Sequence, residues 1–151
     1  MLGYACINKE LRENNIFTNR TLRQATLLDK GYDYLSQIII QNLEDFKTIL
    51  EWNEANGFKF FRISSEIFPF FSHPVHGYKL TDLPNAHLIL SMLTDIGNYA
   101  KAHNHRLTTH PGPYNVLASP TPDVVSKAIL DLEVHSTIFD LMGFTPSPYN
   151  K

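Results

Sequence analysis

Two histidines follow segments that the sequence predicts to be β-strands. His110 directly follows the β-prone run Arg106–Thr109, and Pro111–Gly112 then turns the chain. His73 follows a second β-prone run, Phe58–Ser65, after an aromatic loop. The two histidines are separated by about one strand–helix–strand repeat, roughly 30 or more residues. Because equivalent positions of successive parallel strands meet at one rim of a sheet, both imidazoles could reach one metal ion or one phosphate.

The segments that would position these histidines alternate between strands and helices. Polar residues and turn signals predict a loop over residues 9–31. Asn56-Gly57 is predicted to end the first helix, and Thr121 and Gly143 are predicted to bound the last one. The predicted strands are Leu2–Ile7, Phe58–Ile63 and Leu107–Thr109, and the predicted helices are an apolar stripe from Leu35 to Leu50, a segment near Pro84–His103, and Thr121–Gly143.

The resulting βαβαβα order predicts an α/β fold with a parallel sheet and right-handed crossovers. No Gly-x-Gly-x-x-Gly follows the first strand, and the chain has no Walker-type loop, so the usual marks of a nucleotide-binding fold are missing. Three strands cannot cover both faces of a parallel sheet or protect its edges. We therefore expect residues 1–151 to form a single partial domain, the N-terminal part of a TIM (β/α)₈ barrel, whose full length is typically about 250 residues.

The composition describes a globular protein without strong targeting signals. Hydrophobic residues make up 43% and charged residues 19% of the chain, which excludes disordered and collagen-like classes. A formal net charge of −2 means that any nucleic-acid contact must come from a local patch. The single cysteine, Cys6, excludes an internal disulfide. With no signal-peptide pattern and no long apolar run, the sequence predicts a soluble intracellular protein that is not in a membrane, without choosing between cytoplasm and nucleus.

Five motifs in one order resemble the UV-damage endonuclease family, DNA-repair nucleases built on a TIM barrel. No single motif is specific for the family, but the occurrence of all five in the same order is. They are Leu2-Gly3-Tyr4-Ala5-Cys6-Ile7-Asn8, Thr18-Asn19-Arg20-Thr21-Leu22-Arg23, the stretch from Phe61 to Phe70 followed by Ser72-His73-Pro74, His110-Pro111-Gly112-Pro113-Tyr114, and Ser119-Pro120 with Val124-Val125.

The resemblance implies a cluster of divalent metal ions, usually Mn²⁺, held at the carboxyl ends of the barrel strands. His73 and His110 match two of the family's metal ligands. The other ligands, most of them carboxylates, belong to the C-terminal half of the barrel, so no catalytic residue is assigned in this chain. A second polypeptide could supply that half.

The resemblance also implies contacts with damaged duplex DNA. Tyr4, Asn8 and Tyr114 match positions that touch the lesion or wedge into the base stack, and stacking on an aromatic ring suits that role. Pro113 stands where the family motif has Gln, so a rigid apolar group replaces a hydrogen-bonding one.

Other polar residues have simpler interpretations. Arg20 and Arg23 could contact DNA phosphates. Arg62 lies inside a predicted strand and is expected to point into the barrel. His103 and His105 are expected to interact with a helix dipole. Three further histidines, His76, His87 and His135, are expected at the surface.

Three functions remain open from the sequence. The first is metal-dependent cleavage of the phosphodiester 5′ to a UV lesion. The second is a truncated, non-catalytic fragment that binds damaged DNA, which the missing ligands favour. The third is another TIM-barrel metalloenzyme, such as an endonuclease IV-like protein, which the Gly-Tyr-x-Cys opening argues against.

Overall fold

The structure is a computed structural model that describes residues 1–113, 115–147 and 149. Its strands form one parallel sheet in the order β1-β2-β3, which confirms the predicted βαβαβα arrangement. The elements are β1 (Gly3–Ala5), α1 (Lys9–Glu13), α2 (Gln24–Ala55), β2 (Phe60–Ile63), α3 (Ala86–Ala102), β3 (Arg106–Thr109) and α4 (Pro122–Leu141), with 3₁₀ turns at Ser65–Ile67 and Leu80–Asp82.

The two faces of the sheet differ in burial. Phe61 of β2 and Leu107 of β3 are paired neighbours, and both are completely buried on the face covered by the helices. Arg62, the next residue of β2, pairs with Ala5 of β1, and both are exposed on the opposite face. Because side chains alternate between faces along a strand, this is the pattern of a barrel segment with helices outside and an open interior.

The main helix, α2, buries a stripe at helical spacing. Its fully buried members are Leu35, Ile39, Leu43, Phe46, Ile49 and Leu50. The helix ends at Ala55 with Asn56 as its C-terminal cap, and Gly57 follows with φ 75°, the left-handed conformation that glycine accepts without steric cost. A break at Gly31, with φ 71° and ψ −171°, separates this long part from the residues before it.

The predicted loop over residues 9–31 is wrong in two places. Asn8 caps the short helix α1, and α2 already begins at Gln24. Each of these helical segments buries one leucine, Leu11 or Leu27, so neither carries the apolar stripe from which a helix is normally predicted. The first strand is also shorter than predicted, because Cys6 adopts φ 59° and ends the extended backbone.

Helices α3 and α4 follow their predicted positions closely. The predicted apolar face of α3 is buried at Ile89, Leu93, Ile96 and Ala100. Thr121 occupies the capping position of α4 in extended conformation, but its side chain makes no capping hydrogen bond. None of the helices in the described ranges combines the length and apolar character needed to cross a bilayer.

Candidate active site at the carboxyl ends of the strands

His110 is placed by the sheet itself. Its backbone N–H donates to the carbonyl of Ile63, 3.0 Å away, which continues the β2–β3 pairing by one residue. The side chain is exposed at the carboxyl end of β3. The rigid sheet therefore fixes the backbone of His110 while the imidazole stays accessible to a ligand.

His73 lies in the long loop after β2 and is half-buried. Its Nδ1 accepts backbone N–H groups from Val75 and His76, at 3.2 and 3.0 Å, and its ring centroid lies 5.4 Å from that of Phe70. A neutral imidazole with Nδ1 as acceptor carries its proton on Nε2. A metal ion at Nε2 would move that proton to Nδ1 and break both backbone contacts, so metal binding by His73 requires a local rearrangement.

A carboxylate on α4 connects the two histidine-bearing segments. Asp131 Oδ1 accepts the hydroxyl of Ser72, the neighbour of His73, at 3.1 Å. Asp131 Oδ2 accepts the Gly112 backbone N–H at 3.3 Å and the Asn115 Nδ2 at 2.6 Å. The loop after β2 and the turn after β3 are therefore attached to the same side chain.

The electrostatic environment keeps Asp131 ionised. Burial raises the pKa of Asp131, but hydrogen bonds from Asn115, Gly112 and Ser72, together with the nearby imidazole of His135, bring it below its usual value. An ionised carboxylate has only acceptor oxygens, which suits the donors that surround it.

His135 is buried, with 5% of its surface exposed, so the predicted surface position is wrong. The ring fills the space between α4 and β3, where its Nδ1 lies 2.5 Å from the Thr109 hydroxyl. Burial lowers the pKa of His135, the carboxylate of Asp131 partly offsets that effect, and His110 lowers it further. His135 therefore favours the neutral form and supports β3 next to His110.

Tyr4 and Asn8, the predicted lesion contacts near β1, lie in a hydrogen-bonded group. The Tyr4 hydroxyl donates to Asn53 Oδ1 on α2 at 2.5 Å and accepts from Asn8 Nδ2 at 2.8 Å. Asn8 Oδ1 in turn accepts the backbone N–H of Leu11 and caps α1. Burial raises the pKa of Tyr4, although the two hydrogen bonds oppose the change. Both side chains have structural partners, and their contact with a lesion stays a prediction.

The two arginines predicted to contact phosphate have different surroundings. Arg20 forms an ion pair with Asp45 at 2.5 Å, donates to the carbonyls of Phe17 and Asn15, and lies over the Phe17 ring. Its side chain is only 18% exposed. Arg23 is exposed at the start of α2. The donors of Arg20 are largely used inside the protein, which leaves Arg23 as the more accessible cation.

The turn after His110 contains the last two predicted contacts. Pro113 is exposed. Tyr114 lies outside the described residues. The residues on either side of Pro113 and Tyr114 contact Asp131, Gly112 through its backbone N–H and Asn115 through its side-chain amide.

A metal ion at this rim would find an incomplete set of ligands. Within residues 1–113, 115–147 and 149, no three His, Cys, Asp or Glu side chains are grouped so as to hold a metal ion. The exposed imidazole of His110 can serve as a metal ligand. The imidazole of His73 can do so after its Nδ1 loses the hydrogen bonds from the backbone. The donors present are thus compatible with part of a metal site.

Sequence reasoning missed Asp131, Ser72 and the burial of His135. One signal was available, because Asp131 and His135 are four residues apart and so share a helix face. The contacts from Asp131 to Ser72 and to Gly112 depend on the tertiary fold, so no local sequence pattern predicts them.

A second group of histidines occupies the opposite, amino end of the sheet. Glu54 at the end of α2 contacts Lys59, accepts from His105 Nε2 at 2.7 Å, and lies 3.6 Å from His103 Nδ1. The hydrogen bonds from Lys59 and then His105 lower the pKa of Glu54 to about 2. His103 and His105 therefore interact with a carboxylate of another helix, beyond the predicted helix dipole.

The comparisons with known proteins agree with this geometry. The family described as UV-endonuclease UvdE matches residues 1–151. A putative UV-damage endonuclease of Acanthamoeba polyphaga mimivirus is 40% identical over 148 residues, which are 95% of this chain and 43% of that protein. The UV-damage endonuclease of Schizosaccharomyces pombe is 41% identical over 93% of this chain and 23% of its own length.

A solved structure shares the fold. The crystal structure of SacUVDE superposes with a TM-score of 0.83 at 32% identity, covering 95% of this chain and 46% of that one. This chain thus spans less than half the length of each of these relatives. The parallel three-stranded sheet with external helices corresponds to part of a TIM barrel. The chain belongs to the UV-damage endonuclease family.

Proposed function

We propose that this chain forms the N-terminal part of a DNA-repair nuclease that cuts the phosphodiester 5′ to a UV lesion. The observation that carries the proposal is the position of His110, an exposed imidazole held by the sheet at the carboxyl end of β3. Active sites of TIM-barrel enzymes lie at that end of the strands. Membership of the UV-damage endonuclease family, shown by the match over residues 1–151, makes this reaction the first candidate and disfavours an endonuclease IV-like protein.

His110 and His73 would hold a divalent metal ion, and Mn²⁺ is the proposed metal. A bound ion of this kind lowers the pKa of a water molecule and stabilises the charge that develops on a phosphate. Imidazoles alone are unusual partners for Mn²⁺, which prefers carboxylate and water oxygens. The remaining ligands would therefore come from carboxylates outside this chain, supplied by further strands or by a second polypeptide.

Damaged duplex DNA would approach the same rim. Pro113 and Tyr114, three and four residues after His110, would reach the lesion, and Tyr4 and Asn8 would line the neighbouring end of β1. An aromatic wedge gains selectivity because a damaged base unstacks more cheaply than an intact one. Arg23 would contact a phosphate, whereas Arg20 would mainly hold the segment around it, because Asp45 already neutralises its charge.

A damage-binding role without cleavage is the second candidate. It is favoured by the finding that the described residues contain no group of three possible metal ligands. The exposed face of the sheet around Ala5 and Arg62 also fits a domain that requires further strands. The two candidates differ in whether the chain cuts DNA once a barrel is completed around it.

The test is nicking of a duplex with one cyclobutane dimer by a barrel completed with the remaining strands of a family member. Mn²⁺-dependent nicking is expected for the parent and should be lost in His110→Ala. His87→Ala is the matched control, because His87 is an exposed histidine on α3 and is not one of the proposed metal ligands. Equal nicking by His110→Ala and the parent would contradict the proposed metal role, and binding without any nicking would favour the second candidate.

A further inference from the structure

We infer that Asp131 is a positioning residue that holds the His73 loop and the His110 turn in one arrangement. The inference rests on the proposed function, since it concerns the two histidines assigned there to the metal. It adds a residue on α4 that contacts neither DNA nor metal in the proposal and acts through the segments that do.

The geometry divides the two oxygens of Asp131 between the two segments. Among the described residues, Oδ1 accepts from the His73 loop alone, through the hydroxyl of Ser72 at 3.1 Å. Oδ2 accepts from the described part of the His110 turn, through the Gly112 N–H at 3.3 Å and Asn115 Nδ2 at 2.6 Å. One carboxylate therefore fixes the distance between the loop that follows β2 and the turn that follows β3.

The turn side of this connection is reinforced by Asn115. Its Nδ2 also donates to the carbonyl of Gly112 at 3.1 Å, so the same amide closes the turn and attaches it to α4. This closed turn spans Pro113 and begins two residues after His110. Loss of the carboxylate would release the turn as a unit, along with the side chains it presents at the rim.

The surroundings of Asp131 suit positioning better than charge pairing. Across the described ranges no lysine or arginine pairs with it, and the ionisable side chain nearest to ion-pair distance is His135 at 3.8 Å, beyond hydrogen-bonding distance. Its hydrogen-bond donors are a hydroxyl, an amide and a backbone N–H, all neutral and all on the two segments. Hydrogen bonds to an ionised acceptor are stronger than those between neutral groups and depend on direction, which favours one geometry over others.

Replacement of Asp131 by Asn separates these effects with little change in shape. An amide oxygen can accept from only one segment, and the amide nitrogen can keep the other contact only by donating to the Ser72 hydroxyl. Both contacts lose the charge of the carboxylate, so both are weakened. Asp131→Glu restores two acceptor oxygens on a longer side chain. Glu133→Gln is the matched control, because it makes the same chemical change at an exposed position two residues away on α4.

The first measurement needs no metal and uses the full protein with labelled histidines. The imidazole resonances of both His73 and His110 should shift in Asp131→Asn, and hydrogen exchange at the Gly112 amide should become faster. Glu133→Gln should leave all three unchanged. Unchanged resonances of both histidines in Asp131→Asn would overturn the inference, and so would a change in only one of them.

The second measurement is the affinity for Mn²⁺ and for Zn²⁺. Replacement of residues that orient metal ligands typically weakens binding about 10- to 100-fold, so we expect about 10-fold for Asp131→Asn and partial recovery in Asp131→Glu. If His110→Ala abolishes binding while Asp131→Asn binds like the parent, the inference fails and the proposed metal role stands. If His110→Ala binds like the parent, the proposed metal role fails, and the imidazole resonances alone decide the role of Asp131.

A pair of smaller changes keeps the test decisive if Asp131→Asn does not fold. Ser72→Ala removes only the contact with the His73 loop, and Asn115→Ala removes the side-chain contact with the His110 turn. Each should shift mainly the histidine of its own segment, and their combination should reproduce the weakened metal binding. Full parental affinity in the combined variant would contradict the positioning role.

Discussion

The two ends of the sheet use the same residue types in different ways. At the amino end, Glu54 accepts from His105, which is 3% exposed, and also contacts Lys59. At the carboxyl end, Asp131 accepts from backbone and neutral side chains, and His110 remains exposed. A carboxylate near histidines thus stabilises the fold at one end and leaves an imidazole accessible at the other.

The contrast shows that residue type alone does not indicate chemistry. His105 precedes β3, and its Nε2 lies within hydrogen-bonding distance of the Glu54 carboxylate. His110 follows the same strand, and with the described residues it forms hydrogen bonds through its backbone alone. In a TIM barrel the carboxyl ends of the strands carry the reaction and the amino ends contribute stability. The two histidines that flank β3 lie at these two ends within six residues of chain.

The largest difference is expected between two variants, each of which replaces the histidine at one end of β3 by alanine. In a completed barrel, His110→Ala should lower Mn²⁺-dependent nicking more than about 100-fold, since even residues outside the ligand set change activity 10- to 100-fold. His105→Ala should leave the metal affinity unchanged and lower the free energy of unfolding by about 2 kcal/mol, because it removes a hydrogen bond to a charged partner.

Nicking assays and urea unfolding of both variants measure this difference. A destabilised His110→Ala protein, or a His105→Ala protein with weakened metal binding, would break the division between the two ends.

The next effect separates the two arginines near the start of α2. Arg20→Ala should lower the free energy of unfolding by about 2 kcal/mol, because it leaves Asp45 without its partner in a largely buried ion pair. Arg23→Ala should leave stability unchanged and reduce the salt dependence of DNA binding by about one phosphate contact. Urea unfolding and DNA titration at several salt concentrations provide the two readouts. Equal stability of the two variants would show that the Asp45 pair contributes little.

A smaller effect is expected at the turn after His110. Stacking on an aromatic side chain contributes about 1–3 kcal/mol per base, so Tyr114→Ala in a completed barrel should weaken lesion binding about 10-fold or more. Binding to undamaged duplex should change less. Titration of damaged and intact duplexes checks the ratio, and unchanged affinity for both would remove Tyr114 from the lesion contacts.

The smallest effect concerns pH at the amino end. Because the pKa of Glu54 is lowered from 4.5 to about 2 in the folded protein, its contribution to stability is present above pH 4.5. That contribution is lost progressively as the pH falls from 4.5 toward 2. Glu54→Gln should therefore be less stable than the parent at pH 6, and the difference should shrink below pH 4.5. A difference in urea midpoint that is constant from pH 6 to pH 3 would argue against an ionised Glu54 in this cluster.

The sequence was sufficient for the elements whose signals are local. Apolar residues at helical spacing predicted the long part of α2 and the buried face of α3. The predicted helix ends at Gly57 and Gly143 are also observed, because both glycines adopt the left-handed conformation directly after the caps of α2 and α4. His110 was predictable because a strand end and a Pro-Gly turn adjoin it. Helix α1 was missed because its only buried residue is Leu11, too little for a periodic pattern.

The connections within the candidate site were not predictable from local patterns. Asp131 is 59 residues from Ser72 and 19 from Gly112, and only the tertiary fold, in which α4 packs against α3, brings these residues together. His135 was placed at the surface for the same reason, since the space it fills exists only in the folded sheet. The hydrogen bonds at Nδ1 of His73 likewise depend on a loop conformation that the sequence does not specify.

The central claim is that the carboxyl end of this sheet carries part of a nuclease site that further strands complete. The most direct test is Mn²⁺-dependent nicking of a duplex containing one cyclobutane dimer, by the purified 151-residue chain alone and with the remaining barrel half added covalently or in trans. We expect no lesion-specific nicking by the chain alone, since its described residues form three strands and a closed TIM barrel has eight. Nicking should appear on completion of the barrel and disappear in His110→Ala. Strong metal-dependent and His110-dependent nicking by the chain alone, or none after completion, would contradict the claim.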